Sequence, residues 1–198
     1  MKLKRPLYPD PIGTAGYFWI HAGHRETAIS HAISVIRDAA TRELAQMADD
    51  PIMAGLSAPI GEWVVESLIQ GAWMREYHEW EKATKAYFDG HHKRSGSPKP
   101  DWKAKIPGVN GAASHVDRVR TQIALFGATV PESSLIKLDE HRRLINAAKH
   151  EEEYFATEES YCQLVKAISD FWNELAPQEE FTIHLPSPPT MPVANVPK

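Results

Sequence analysis

The sequence predicts an all-α fold: an up-and-down bundle of about five helices, with an irregular N-terminal arm and a proline-rich C-terminal tail. Three observations carry this. Apolar residues recur at three- and four-residue steps through most of the chain, the period of helices with one buried face. No block alternates polar and apolar residues as a strand would, and no glycine-rich phosphate loop or nucleophile elbow occurs. Prolines gather at the two ends, at 6, 9 and 11 and again at 186, 188, 189, 192 and 197, where they forbid helix interiors.

The elements follow in order. Residues 1–23, with Gly13, Gly16 and Gly23 added to the prolines, read as the arm. Its run Tyr17-Phe18-Trp19-Ile20 either anchors the arm on the bundle or faces a partner. The bundle spans 24–176. Its first helix runs from His24 to Met47 on the stripe Ile29, Ile33, Ile36, Ala40 and Leu44, and Asp49-Asp50-Pro51 ends it. Gly55 to Gly61 reads as a connector. The second helix, Glu62 to Phe88, carries Trp63, Val64, Leu68, Ile69, Trp73, Tyr77, Trp80 and Tyr87, with Gly90 as its cap. A basic loop follows, Gly90 to Gly111, long enough to be functional or a solvated insertion. The third helix, Ala113 to Phe126, shows Val116, Val119 and Ile123. The fourth opens at Glu132 and carries Leu135, Leu138 and Ile145. The fifth, Thr157 to Leu175, has the clearest stripe: Tyr161, Leu164, Val165, Ile168, Phe171 and Trp172. Residues 177–198 form the tail, in extended or polyproline conformation.

Composition narrows the function classes. The 198 residues suit one domain with a sizeable core, and six tryptophans call for tight helix contacts or a partner surface. One cysteine, Cys162, on an apolar stripe, excludes an internal disulfide framework and fits a reducing, cytoplasmic setting. The basic N-terminus lacks the apolar stretch of a signal peptide, and no window is long and apolar enough for a membrane span. A formal net charge of −4 disfavours a general nucleic-acid coat. A local basic patch survives within 91–105, where Lys93, Arg94, Lys103 and Lys105 accompany Trp102, a ring able to stack on a base.

One polar cluster could carry chemistry. Along the fourth helix Arg143 and His150, seven residues apart, share a face, with Asn146 between them. That trio suits phosphodiester cleavage: His150 moves a proton, Arg143 stabilises the phosphorane charge, and Asn146 orients them. The same residues also suit a solvated face paired with Asp139 and Glu151 to Glu153. His21, His24 and His31, with Glu76, His78, Glu79 and Glu81 on the second helix, suggest a bundle metal site. No glutamate stands three residues before any histidine, so the usual Glu-x-x-His pair is missing and no cofactor is implied.

Asn146-Ala147-Ala148-Lys149-His150, followed by an acidic turn and a terminal amphipathic helix, resembles the HEPN superfamily over about residues 62–176. These are small helical bundles, many of them ribonucleases in toxin–antitoxin, antiviral defence and RNA-processing systems. Their signature is an Arg, four to six residues, then a His, often with a polar residue directly after the Arg. In the commonest spacing the Arg position falls on Ile145; Arg143 meets the longest spacing but is followed by Leu144. The resemblance implies a metal-independent endoribonuclease that uses the RNA 2′-hydroxyl as nucleophile, with Arg143, Asn146 and His150 in a homodimeric cleft. Lys93, Arg94, Trp102, Lys103 and Lys105 would then contact RNA. The family also contains inactive members, so a non-catalytic interaction or assembly module with a protein partner is the alternative.

Overall fold

A computed structural model describes residues 11–46, 51–109, 111–150 and 156–175, the side chains of 11–22, 51, 53–60 and 94 excepted. The described residues form an all-α bundle of five helices: α1 (Pro11–Gln46), α2 (Pro51–Arg94), α3 (His115–Leu125), α4 (Glu132–His150) and α5 (Glu158–Leu175). The proline-rich tail and residues 1–10 lie outside the described residues, as do the side chains of the aromatic run 17–20.

Two boundaries correct the sequence reading. Residues 11–23, assigned to an irregular arm, are the opening turns of α1. Pro11 stands at the first helical position, where a missing N–H costs nothing. Likewise Pro51 opens α2, and the expected connector Gly55 to Gly61 is helix throughout. Long pairing of α1 with α2 outweighs the propensity cost of about 1 kcal/mol per glycine. Gly61 has a packing reason to be glycine: a Cβ there would lie 2.9 Å from the Cβ of Ala40 on α1.

Local caps explain where the other helices stop. α2 runs past Gly90 to Arg94, and Gly96, at φ +69°, ends it. The Ser97 N–H reaches the His92 carbonyl at 3.0 Å and the Gly96 N–H reaches that of Lys93 at 3.4 Å, a Schellman closure. α3 closes the same way at Gly127, with Ala128 N–H to Ile123 O at 3.2 Å. At its start, Ser114 and Asp117 exchange side-chain-to-backbone bonds of 3.1 and 2.9 Å, a capping box. Thr157 caps α5 by accepting the Ser160 N–H at 3.1 Å.

α2 is the spine, in contact with all four other helices. Its buried stripe is Val65, Ile69, Trp73, Tyr77, Trp80, Tyr87 and Phe88. Trp63 and Val64, expected on that stripe, are instead exposed at 61% and 39%, one helical step out of phase with buried Val65. Facing the spine, α5 buries the predicted stripe from Tyr161 to Leu175 in full. Trp80 packs edge-on to Phe171 at 5.6 Å, and Tyr87 does so to Trp172 at 5.3 Å. Among the described residues no helix is long and apolar enough to cross a membrane.

Candidate functional site

The orientation of α4 is set by its apolar side. Leu135, Leu138, His141 and Ile145 are buried against the core. At 3.6 residues per turn this turns Asp139, Arg143, Asn146 and His150 outward. Arg143, Asn146 and His150 are all exposed, so the three residues expected to act together do share one solvent-facing strip. Arg143 and His150 are seven positions apart, about 10.5 Å along the axis at the helical rise. Ile145, at the position where the commonest family spacing has Arg, is 3% exposed and points into the core.

The strip is tied by ion pairs. Asp139 accepts from Arg143 at 2.9 Å, one turn on, and from Arg142 at 2.7 Å. Arg143 nonetheless keeps 72% of its side chain in solvent. Beside it a hollow of about 280 Å³ runs between α3 and α4, lined by Asp117, Arg120, Ile136, Asp139, Glu140 and Arg143. Arg120 there grips Glu132 with three bonds of 2.9 to 3.1 Å. Burial pushes the Asp117 carboxyl up, but its Ser114 hydrogen bonds and the nearby Arg120 and Arg142 hold it below the ordinary carboxylate range. His150, with Lys149, closes the last turn of α4, where the negative end of the helix dipole favours a cation.

Two histidines near the strip are structural. His141 is 6% exposed, and its Nδ1 accepts the Trp73 indole N–H at 3.1 Å. Burial drives its pKa down, against the opposing charge of Glu140. The sequence carried this signal: 141 lies three after Leu138 and four before Ile145, on the apolar stripe. His115, the first residue of α3, sits between Trp80 and Trp102 with Nε2 at 2.7 Å from the Thr84 hydroxyl. Burial first, then Lys85 and Arg118, push it down to about 3.

The basic loop is bound to the body. Trp102 is half-buried; its indole N–H donates to Asp89 at 3.2 Å and its ring stacks on His115 at 5.5 Å. The Lys85 ammonium sits 6.0 Å from the ring centroid. That ring holds the loop in place. Lys93, Lys103 and Lys105 are exposed; the Arg94 side chain lies outside the described residues. Lys105 and Trp102 line a cleft of about 130 Å³ with Arg118, whose guanidinium donates to the Ala104 carbonyl at 2.8 Å. Lys93 belongs to the last turn of α2, Lys105 lies against α3, and His150 ends α4.

Among the described residues no group of three or more His, Cys, Asp or Glu is placed to hold a metal. Glu76, considered with the N-terminal histidines, is bound to Arg25. Cys162 is half-buried, and burial, Glu26 and Glu158 raise its thiol pKa.

A third cavity escaped the sequence reading. It lies between α2 and α4, measures about 130 Å³, and is lined by Tyr77, His78 and Glu81 from α2 and Arg142, Asn146 and Lys149 from α4. These α2 residues look in the sequence like one more turn of an amphipathic helix. No protein-family model matches the chain, and no curated protein or solved structure matches it significantly.

Proposed function

We propose that the protein is a HEPN-like, metal-independent endoribonuclease, acting as a homodimer in a toxin–antitoxin or antiviral defence setting. One observation supports this most: Arg143, Asn146 and His150 lie exposed on a single strip of α4, above a core that fixes their phase. In the reaction, the RNA 2′-oxygen attacks the adjacent phosphorus and the bond from phosphorus to the 5′-oxygen breaks. The products are a 2′,3′-cyclic phosphate and a 5′-hydroxyl. His150 moves the proton, Arg143 offsets charge on the phosphorane, and Asn146 orients them. The separation of Arg143 from His150 by about 10.5 Å of helix favours a cleft that combines strips from two copies.

The test is cleavage of a structured RNA pool in the presence of EDTA. Wild-type protein should cut, and His150→Ala should not, with helicity by circular dichroism unchanged. Undiminished cleavage by His150→Ala removes the site assignment. Loss of wild-type cleavage on chelation removes the metal-free mechanism. A second reading, a non-catalytic interaction module, is favoured by the Asp139 carboxylate that occupies Arg143. It expects no cleavage of any RNA, and a stable complex with a protein partner.

A further inference from the structure

The cavity between α2 and α4 has a chemistry of its own. Tyr77 lines it and is 3% exposed, and its hydroxyl is buried with no hydrogen-bond partner among the described residues. A buried hydroxyl without a partner costs about 1–3 kcal/mol, so native structures seldom keep one without a use. Two cations of α4 share the same wall. Arg142 spends its Nε on Asp139 at 2.7 Å, and its Nη groups make no bond among the described residues. Lys149, exposed, has no ionic partner among them. The amide of Asn146 lies between the two in sequence and also faces the cavity. One carboxylate, Glu81, opposes them, and it is bound to the His78 ring at 2.8 Å. Among the lining residues two cations stand against this one carboxylate, while Asp139, outside the lining, divides its charge between Arg142 and Arg143.

A volume of about 130 Å³ holds several waters, hence a tetrahedral oxyanion. We propose that this cavity binds a phosphoryl group. The Arg142 guanidinium and Lys149 ammonium supply the charge, and the Asn146 amide and Tyr77 hydroxyl supply directed hydrogen bonds. Arg142 offers paired N–H donors matched to two phosphate oxygens, while Lys149 acts as a point charge at the rim. The group is a phosphate monoester or the diester of a nucleic-acid backbone; both present the same oxygens. The site shares Asn146 with the ribonuclease reading but goes beyond it, because it requires no cleavage and involves neither Arg143 nor His150.

The test uses the full chain and three probes: inorganic phosphate, and a 2′-O-methyl oligoribonucleotide with or without a 5′-phosphate. Binding is followed by calorimetry and by thermal unfolding, against sodium chloride at matched ionic strength. Wild-type protein should be stabilised saturably by phosphate. Tyr77→Phe should weaken phosphate binding about tenfold, the loss of one hydrogen bond to a charged acceptor. The same variant should unfold no more easily than wild type, since the hydroxyl it lacks had no partner. Lys149→Gln should weaken binding several-fold, and His150→Ala should leave it unchanged. Preference for the 5′-phosphorylated oligonucleotide assigns the site to a monoester, and equal binding of both oligonucleotides assigns it to the backbone. Absence of saturable phosphate binding by wild type overturns the proposal, as does equal binding by wild type, Tyr77→Phe and Lys149→Gln. RNA cleavage without phosphate binding would leave the nuclease reading standing and remove this one; phosphate binding without cleavage would do the reverse.

Discussion

Replacing Arg25 by methionine tests how α1 is fastened to the bundle. Glu76, on α2, is 1% exposed, and Arg25 grips it through Nε–Oε1 and through Nη2–Oε2 at 2.9 Å. Glu26 beside it has its pKa raised, by burial first and by the Glu76 charge second, so two carboxylates already sense each other here. Methionine keeps the apolar stem of Arg25 and removes the cation. Breaking a buried pair by deleting one partner costs about 3–5 kcal/mol, because the remaining charge stays buried. Arg25 keeps 21% of its side chain in solvent, so water can reach the vacated place and the lower figure applies, about 3 kcal/mol. For a domain of this size that lowers Tm by roughly 6–12 °C. Urea unfolding followed at 222 nm measures it directly. The double variant Arg25→Met, Glu76→Met should recover most of the loss, since a buried ion pair and a well-packed apolar pair are close in free energy. A loss below about 1 kcal/mol for the single variant, or a double variant worse than the single, would refute the reasoning.

Two further outcomes follow from backbone and titration. Burial holds the His115 pKa down at about 3, against an ordinary value of 6.5. A histidine with a depressed folded pKa contributes stability that is full above about pH 6.5 and is lost as pH falls toward 3, at up to about 1.4 kcal/mol per pH unit. His115→Gln should lose less stability than wild type between pH 7 and 5 in urea titrations; equal losses would show that the ring is not the sensor. Gly71 has open space where a Cβ would stand, so Gly71→Ala should stabilise by roughly 0.5–1 kcal/mol, whereas Gly61→Ala forces its new Cβ within 2.9 Å of Ala40. Overpacking of about 1–3 kcal/mol then outweighs the propensity gain. Thermal melts of the two variants moving the same way would contradict the close approach of α1 and α2.

The bundle was legible in the sequence wherever one helix face was wholly buried. α5 shows this best, because Tyr161, Leu164, Val165, Ile168, Phe171 and Trp172 admit one phase only. On α2 the phase was less clear. Trp63 and Val64 stand next to Val65, and three adjacent apolar residues cannot by themselves say which one faces inward. The starts of α1 and α2 were misread because Pro11, Gly13, Gly16, Gly55 and Gly61 are local breakers, while pairing between the two long helices is a tertiary effect. Gly61 was a breaker by composition and a contact residue in fact.

The same division governs the site. Arg143, Asn146 and His150 could be placed on one strip from their spacing alone, since all three belong to a single helix. The phosphoryl cavity could not, because Tyr77 and Arg142 lie on different helices whose mutual phase only packing sets. Ile145 joins the two questions. Its burial at 3% gives the phase that turns Arg143 and His150 outward and brings Arg142 and Lys149 to face α2. An arginine at 145 would enter the core with no carboxylate on α4's buried face to meet it, a cost of several kcal/mol. Position 145 is therefore a packing position in this chain, and under the proposed nuclease reading a guanidinium for His150 would come from Arg143 two turns earlier, or from the corresponding strip of a second copy.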